Sequence, residues 1–385
     1  MLSLPNQRKP ITLPRSAYNK IIDMEFRRNP APPIVCNLRY ANGFYTMTLC
    51  IGGNEEEIDF IIDTGSSILM VPCDYIDDWD PDWRVPSGRK YVFDNLRSDS
   101  FATDNKPIIR SIAGPGRVEG IIAQDDVLVI NSWTSEVAAS RLNFMLSSDD
   151  TLPAGILGLS YPQLIDRQQI PYSNVIEYLY KGGNIPSFSY SLYLRRQGST
   201  IVLGGYDPAQ FQGSFKYLSI IQQTNNQKQL LQSKMKSVYL GKTSLGISGT
   251  ASFNTGVPLI SLPYKTVEKL YGLLGIRSKP NLQKRTQINS NLNFGKDHFL
   301  TFEFPTTKGQ SVRIRVPLSS LISHVDDDIY VLDILSNTSG QIILGSQFFE
   351  STVTYFDYTN NSIGMVESNE ILNYLGPQPA QRRFI

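Results

Sequence analysis

The chain is poor in the residues on which thiol and imidazole chemistry depend. It has three cysteines in 385 residues, Cys36, Cys50 and Cys73, which allow at most one internal disulfide. So few cysteines fit a reducing compartment, although they do not exclude a secreted protein with few disulfides. The two histidines, His298 and His324, belong to no recognisable metal-ligand motif. We therefore expect no metal site and no serine or cysteine catalytic triad.

A charge excess and long apolar runs are also lacking. Lys and Arg number 36 and Asp and Glu number 35, so the basic excess of a nucleic-acid-binding protein is missing. No apolar stretch approaches the roughly 20 residues that span a bilayer, which predicts no membrane span. Residues 1–20 contain charges and three prolines instead of an apolar segment, so we expect no signal peptide there. A signal removed upstream stays compatible with the sequence, and the compartment is left open.

Aromatic residues and prolines, by contrast, are abundant. Twenty Tyr, 18 Phe and 23 Pro, combined with short apolar runs, favour a β-rich chain. Strand signals occupy six segments, namely 44–51, 127–130, 189–194, 200–203, 312–316 and 352–356. Two short helices are predicted at 172–180 and 266–274. The length allows two domains, or one bilobal unit with a core in each part.

An internal repeat is the main organisational feature. The triplet Asp63-Thr64-Gly65 follows an apolar run, and Asn254-Thr255-Gly256 occupies a similar frame. In both copies a proline, Pro72 or Pro263, lies nine residues after the acid or the amide. The first copy therefore offers a carboxylate, whereas the second offers a group of the same shape that cannot ionise.

A second element repeats downstream of each triplet. The run Ile156-Leu157-Gly158 ends 95 residues after Asp63, and Ile343-Leu344-Gly345 ends 91 residues after Asn254. Two motifs at nearly equal spacing indicate duplication of one lobe. We expect each half to bring its triplet to a corresponding position.

These motifs, with Gly204-Gly205-Tyr206-Asp207 and Tyr355-Phe356-Asp357, resemble the pepsin-type (A1) aspartic proteases over roughly residues 36–366. The resemblance implies an all-β, bilobal fold of two six-stranded-type β-barrel lobes with a few short helices. A central cleft would bind a peptide or protein segment, in a monomer without cofactor. The implied divisions are a basic arm (1–34), the lobes (35–205 and 206–367) and a flexible tail (368–385). The arm is either a propeptide remnant or a solvated extension.

The resemblance also implies roles for the residues of the two triplet loops. Asp63 matches one catalytic acid, and Asn254 occupies the position of the other. In the family the two carboxylates share one proton, so that one takes a proton from water while the other donates to the peptide carbonyl. The supporting residues implied are Thr64, Gly65, Ser66, Thr255 and Gly256.

Four departures from the family pattern argue against catalysis. Asn254 cannot exchange a proton, and Val257-Pro258 replaces the small hydroxyl residues that orient the second acid. The flap pattern Tyr-Gly-x-Gly matches Ala113-Gly114-Pro115-Gly116, which puts Ala113 in place of the tyrosine. Met70 replaces the tryptophan that hydrogen-bonds this tyrosine.

The sequence therefore predicts a pepsin-like homologue that is catalytically inactive or strongly impaired and that binds a segment in its cleft. The alternative is an active aspartic endopeptidase that activates water at Asp63. In that case Asn254 is an engineered or compensated change.

Overall fold

The computed structural model describes residues 31–41, 43–52, 56–73, 93–112, 116–148, 154–161, 163–164, 171–172, 174–221, 231–282, 284–288, 298–326, 329–369 and 371. The flap residues Ala113 and Gly114 lie outside these residues. So do residues 1–30 of the predicted arm and most of the predicted tail. Within the described part of the chain, each helix is too short or too polar to cross a membrane.

Strands make up most of the described structure. In chain order they are β1 (Ile34–Ala41), β2 (Phe44–Ile51), β3 (Glu56–Asp63), β4 (Leu69–Pro72), β5 (Ala102–Ile112), β6 (Gly116–Ile130), β7 (Val137–Ser147), β8 (Gly155–Gly158), β9 (Gln163–Leu164), β10 (Pro171–Tyr172), β11 (Ser189–Tyr193), β12 (Ser199–Leu203), β13 (Lys216–Ser219), β14 (Gln232–Met235), β15 (Ser237–Leu240), β16 (Thr243–Ser244), β17 (Gly249–Phe253), β18 (Ile260–Pro263), β19 (Thr286–Ile288), β20 (Phe299–Pro305), β21 (Ser311–Pro317), β22 (Ile322–Asp326), β23 (Ile329–Leu332), β24 (Ile334–Asn337), β25 (Ile342–Leu344), β26 (Thr352–Asp357) and β27 (Ser362–Glu367). The α-helices are α1 (Val175–Lys181), α2 (Tyr264–Leu274) and α3 (Ser346–Phe349). Short 3₁₀ turns cover Asn95–Arg97, Pro208–Gln210 and Leu318–Leu321.

The first half of the chain forms a closed six-stranded barrel. Its hydrogen-bonded order is β2-β3-β8-β4-β7-β6, and β6 pairs back onto β2. Side chains alternate across the barrel wall, as expected for strands. Leu69 and Val71 of β4 therefore face the main core, whereas Met70 between them faces outward into a separate apolar cluster.

One continuous sheet joins the two halves. Strands β1, β12 and β11 of the first half pair in that order, and β11 continues antiparallel to β26 of the second half. Strands β27 and β13 then complete this side of the sheet. Backbone hydrogen bonds between β11 and β26, with Tyr190 opposite Phe356, therefore fix one half against the other.

The sequence repeat corresponds to a repeat of strand topology. In the first half, β8 is parallel to β3 and antiparallel to β4; in the second, β25 is parallel to β17 and antiparallel to β18. The repeated glycines are explained by the close approach of backbone. A Cβ on Gly158 would lie 2.3 Å from the Ile68 nitrogen, and one on Gly345 would lie 2.2 Å from the Leu259 oxygen.

The predicted all-β, bilobal fold is confirmed, and all six predicted strands are present, although the strand predicted at 189–194 ends at Tyr193. The helix predicted at 172–180 is wrong at its start, because Tyr172 belongs to β10 and the helix begins at Val175. The Asn174 side chain accepts a hydrogen bond from the Glu177 amide and so fixes that start. The second helix begins at Tyr264, two residues earlier than predicted.

The cysteines contribute to packing. Cys36, Cys50 and Cys73 are all described and buried, and no disulfide joins them. Burial raises the pKa of the Cys36 thiol to about 12, so this side chain stays protonated. The fold is therefore stabilised by its apolar core, as the low cysteine count suggests.

A small apolar cluster, here called the flap cluster, lies outside the barrel wall. Its members are Ile68, Met70, Ile108, Val118, Ile122, Met145 and Ile156, all at most 7% exposed. Ile108 and Val118 belong to the β5–β6 hairpin, in which Ile112 pairs with Gly116 on either side of the predicted flap tip. The cluster thus packs the hairpin against the barrel, close to the loop that follows Asp63.

We expect Ile108→Ala to lower the free energy of unfolding by about 2–5 kcal/mol, the usual range for truncating a buried isoleucine. Ile109→Ala is the matched control, because Ile109 is the next residue on β5 and is 48% exposed. Its effect should stay within about 0.5 kcal/mol. Chemical denaturation measures both, and equal losses for the two variants would contradict the role assigned to the flap cluster.

Candidate functional site

The two triplet loops meet where the halves of the chain join. The Thr64 amide donates to the Thr255 Oγ1 at 3.1 Å, and the Thr255 amide donates to the Thr64 Oγ1 at 3.0 Å. Each hydroxyl in turn donates across the join, Thr64 to the Phe253 carbonyl (2.8 Å) and Thr255 to the Ile62 carbonyl (2.7 Å). Both threonines are fully buried, so these four bonds satisfy polar groups that water cannot reach.

The glycines of the triplets let the acid and the amide lie against the opposite loop. The Gly65 amide donates to Asp63 Oδ1 at 2.7 Å, and the Gly256 amide donates to Asn254 Oδ1 at 2.9 Å. A Cβ on Gly65 would lie 2.2 Å from Asn254 Nδ2, and one on Gly256 would lie 2.4 Å from Asp63 Oδ1. Only glycine leaves room for this approach, so Asp63 and Asn254 are held side by side.

Burial of the Asp63 carboxyl raises its pKa, although polar contacts from Ser66, Gly65 and Gly256 act in the opposite direction. The Ser66 hydroxyl makes no hydrogen bond of standard geometry, but it lies close enough to the carboxylate to favour its charged form. The loss of hydration outweighs these contacts. Asp63 is thus a carboxyl whose neutral form is favoured by its surroundings.

Asn254 reproduces the shape of a second acid without its chemistry. Its Oδ1 accepts from the Gly256 amide in the way that Asp63 Oδ1 accepts from Gly65. The carboxamide has no ionisable proton, so it cannot share one with Asp63. The arrangement therefore places one titratable group, the Asp63 carboxyl, beside an amide.

Val257 and Pro258 keep the backbone support of the second loop. Their carbonyls accept from the amides of Ser346 (2.8 Å) and Gln347 (3.2 Å) at the start of α3. A Cβ on Gly43, in the turn after β1, would lie 2.9 Å from the Pro258 Cβ, so the proline ring packs against the first half. The second loop therefore has an apolar contact where the first loop has Ser66 and Ser67.

Met70 lies in the flap cluster. It is 1% exposed and shares this cluster with Ile108 and Val118 of the hairpin. Among the predicted flap residues, Gly116 begins β6, whereas Ala113 and Gly114 fall outside the described residues. Met70 thus makes an apolar contact beneath the β5–β6 hairpin.

Sequence reasoning missed two tyrosines beneath the first loop. The hydroxyls of Tyr190 and Tyr358 both reach the carbonyl of Leu159, which follows β8 directly. Tyr190 lies in a predicted strand. The spacing of residues along the sequence could not indicate that its hydroxyl meets that of Tyr358, which is far away in the chain. In the described residues, no group of three or more metal-ligating side chains comes together.

Comparison with known proteins agrees with this geometry. The family model for the eukaryotic aspartyl proteases matches residues 44–368. Pepsin A-5 of Mus musculus is 25% identical over 370 residues, covering 91% of this chain and 88% of its own. A pregnancy-associated glycoprotein of Equus caballus is 25% identical over 338 residues, covering 85% and 81%. Secreted aspartic protease 7 of Candida albicans is 26% identical over 369 residues, covering 84% of this chain and 60% of its own. The match to the family model spans most of the chain and both triplet loops, so the chain belongs to the eukaryotic aspartyl protease family.

Proposed function

We propose that this chain is a member of the family whose cleft binds a peptide or protein segment in extended form and does not cleave it efficiently. The observation that carries the proposal is the carboxamide of Asn254, which accepts from Gly256 as Asp63 accepts from Gly65 and lies against the opposite loop as Asp63 does. The shape of a catalytic pair is present. The second ionisable group is absent.

The expected loss of catalysis is large. General acid–base catalysis by a positioned side chain increases the reaction rate by a factor of about 10² to 10⁴. When two groups act as a unit, the loss of one removes most of the catalytic effect of both. Asp63 alone can accept a proton from water or donate one to a carbonyl oxygen. It cannot do both in the same step, because the neighbouring amide cannot take the other role.

Binding does not depend on this proton exchange. Pepsin-like proteases bind peptide substrates in the cleft between the lobes. An extended segment in such a cleft is held by main-chain hydrogen bonds, as in strand addition, and by pockets for its side chains. The four threonine hydrogen bonds that fix the triplet loops involve neither the Asp63 carboxylate nor the Asn254 amide, so the floor of the cleft keeps its shape without a second acid.

We expect Asn254→Asp to raise the rate of proteolysis, because it restores two carboxyls that can share a proton. The variant Asn254→Asp/Val257→Ser/Pro258→Ser should be faster still, since its second loop then reads Asp-Thr-Gly-Ser-Ser like the first. Its rate should exceed that of the unmodified chain by at least about 10². Cleavage of a denatured protein between pH 3 and pH 7, with and without pepstatin, measures this.

The matched control is Asp63→Asn/Asn254→Asp, which exchanges the acid and the amide and leaves one carboxyl in the site. It should be as inactive as the unmodified chain. Pepstatin-sensitive cleavage by the unmodified chain would refute the proposal and establish the alternative, an active endopeptidase working through Asp63. If Asn254→Asp alone gives full activity, the whole defect is the single group at position 254, as expected of an engineered change.

A second prediction concerns stability. The raised pKa of Asp63 means that its charged form is disfavoured in the folded chain, so ionisation lowers stability as pH rises above the ordinary value of 3.8. Asp63→Asn cannot ionise. Its stability relative to the unmodified chain should therefore increase as pH rises from below 3.8 and level off above the folded-state pKa of Asp63.

Denaturation at a series of pH values gives this difference, and a constant offset from altered hydrogen bonds does not change its trend. Asp104→Asn is the control, because Lys106 lowers the pKa of the exposed Asp104 carboxyl and so reverses the direction of any pH effect. A stability difference for Asp63→Asn that does not vary with pH would contradict the raised pKa of Asp63.

A further inference from the structure

The first and second triplet loops are supported in different ways. In the second half, the segment after the repeated glycine begins α3, so the Gly345 carbonyl accepts from the Phe348 amide (2.9 Å) and the Ser346 carbonyl from the Glu350 amide (3.2 Å). The corresponding segment of the first half, residues 158–161, starts no helix. Its carbonyls therefore need other donors, because a buried carbonyl without a partner is unfavourable.

Side chains provide those donors. Asn174 Nδ2 donates to the Ser160 carbonyl at 2.5 Å. The Leu159 carbonyl accepts from Tyr190 at 3.2 Å and also from Tyr358, and the two tyrosine hydroxyls are 3.3 Å apart. Leu159 and Tyr190 are fully buried and Tyr358 is 4% exposed, so water does not compete for this carbonyl.

The same segment holds the loop that carries Asp63. The Leu159 amide donates to the Asp63 carbonyl at 2.8 Å, and the amides of Gly158 and Ser160 donate to the carbonyls of Ile68 (3.0 Å) and Ser66 (2.8 Å). The peptide groups on either side of Leu159 thus link the tyrosine hydroxyls below to the acid-bearing loop above. These backbone bonds are the direct link between the tyrosine hydroxyls and the loop that carries Asp63.

Tyr358 brings the second half of the chain into this contact. It follows β26, the strand that joins the halves through β11, and its ring packs 4.4 Å from that of Tyr161 and 4.9 Å from that of Phe188. Tyr161 donates to Asn361 in the turn between β26 and β27 at 2.5 Å. Ring packing and hydrogen bonds therefore leave each hydroxyl a narrow range of positions.

We propose that Tyr190 and Tyr358 are positioning residues for Asp63. They act through the Leu159 carbonyl, so that the contact between the two halves of the chain determines where the Asp63 carboxyl lies. The proposal concerns the first loop only, so it applies to a cleaving and to a non-cleaving cleft alike. Burial raises the pKa of both tyrosines well above the ordinary value, which keeps both hydroxyls protonated and able to donate.

The test measures the pKa of Asp63 by NMR in the full chain, labelled with ¹³C at the aspartate carboxyl carbon. Loss of one signal in Asp63→Asn assigns the resonance. Tyr358→Phe and Tyr190→Phe each remove a hydroxyl and keep the ring, so the Leu159 carbonyl loses a donor while the packing stays. We expect each variant to shift the pKa of Asp63 downward toward its ordinary value, because a loosened loop admits water to the carboxyl.

Tyr355→Phe is the matched control, since Tyr355 lies on β26 but packs in a separate cluster with Tyr193, Phe215 and Val353. It should leave the pKa of Asp63 unchanged. An equal shift in Tyr355→Phe would overturn the proposal, since general loosening of the sheet would then suffice. An unchanged pKa in both Tyr358→Phe and Tyr190→Phe would also overturn it, even if both lose stability. Should one of these two fail to fold, the other alone decides.

Discussion

The reciprocal hydrogen bonds between Thr64 and Thr255 are the constraint on which the rest of the site depends. Each threonine forms hydrogen bonds with the other half of the chain through its backbone amide and through its hydroxyl. Both threonines are fully buried. Loss of one hydroxyl would leave a buried amide and a buried carbonyl without partners, which is more unfavourable than the loss of a single exposed bond. The two loops therefore meet in one register. Asp63 and Asn254 are neighbours as a consequence, whatever chemistry they support.

This symmetric centre is embedded in asymmetric surroundings. Backbone amides hold both loops, but the carbonyls of the supporting segments are satisfied differently. Those of Gly345 and Ser346 accept from amides of α3 and the residue after it, whereas those of Leu159 and Ser160 accept from side chains of Asn174, Tyr190 and Tyr358. Backbone support in a helix is local, but the tyrosine contacts join residues about 30 and 200 positions apart in the sequence. The segment beneath the first loop thus takes hydrogen-bond donors from both halves of the chain, whereas the segment beneath the second loop takes them from its own half.

The sequence was sufficient for those features that follow from local geometry. The repeated triplets and the glycines at 158 and 345 predicted a duplicated arrangement, because backbone contact at these glycines excludes any side chain. Spacing could not predict contacts between distant segments. The Leu159 carbonyl and its tyrosine donors carry no local pattern, and neither does the contact of Met70 with Ile108 and Val118. The start of α1 was predicted too early, because the role of Asn174 as the N-cap residue was not recognised.

An amide opposite an acid also changes the energetics of the site. Two carboxylates in this position would repel each other, and one would have to remain protonated. Asn254 removes the repulsion and still accepts the Gly256 amide hydrogen, so the loop loses no backbone bond. Catalytic sites commonly sacrifice stability for reactivity. Without a second charge, the loops keep their shape and are relieved of that repulsion. Under the proposed function, the change at position 254 therefore favours a cleft that holds an extended segment over one that hydrolyses it.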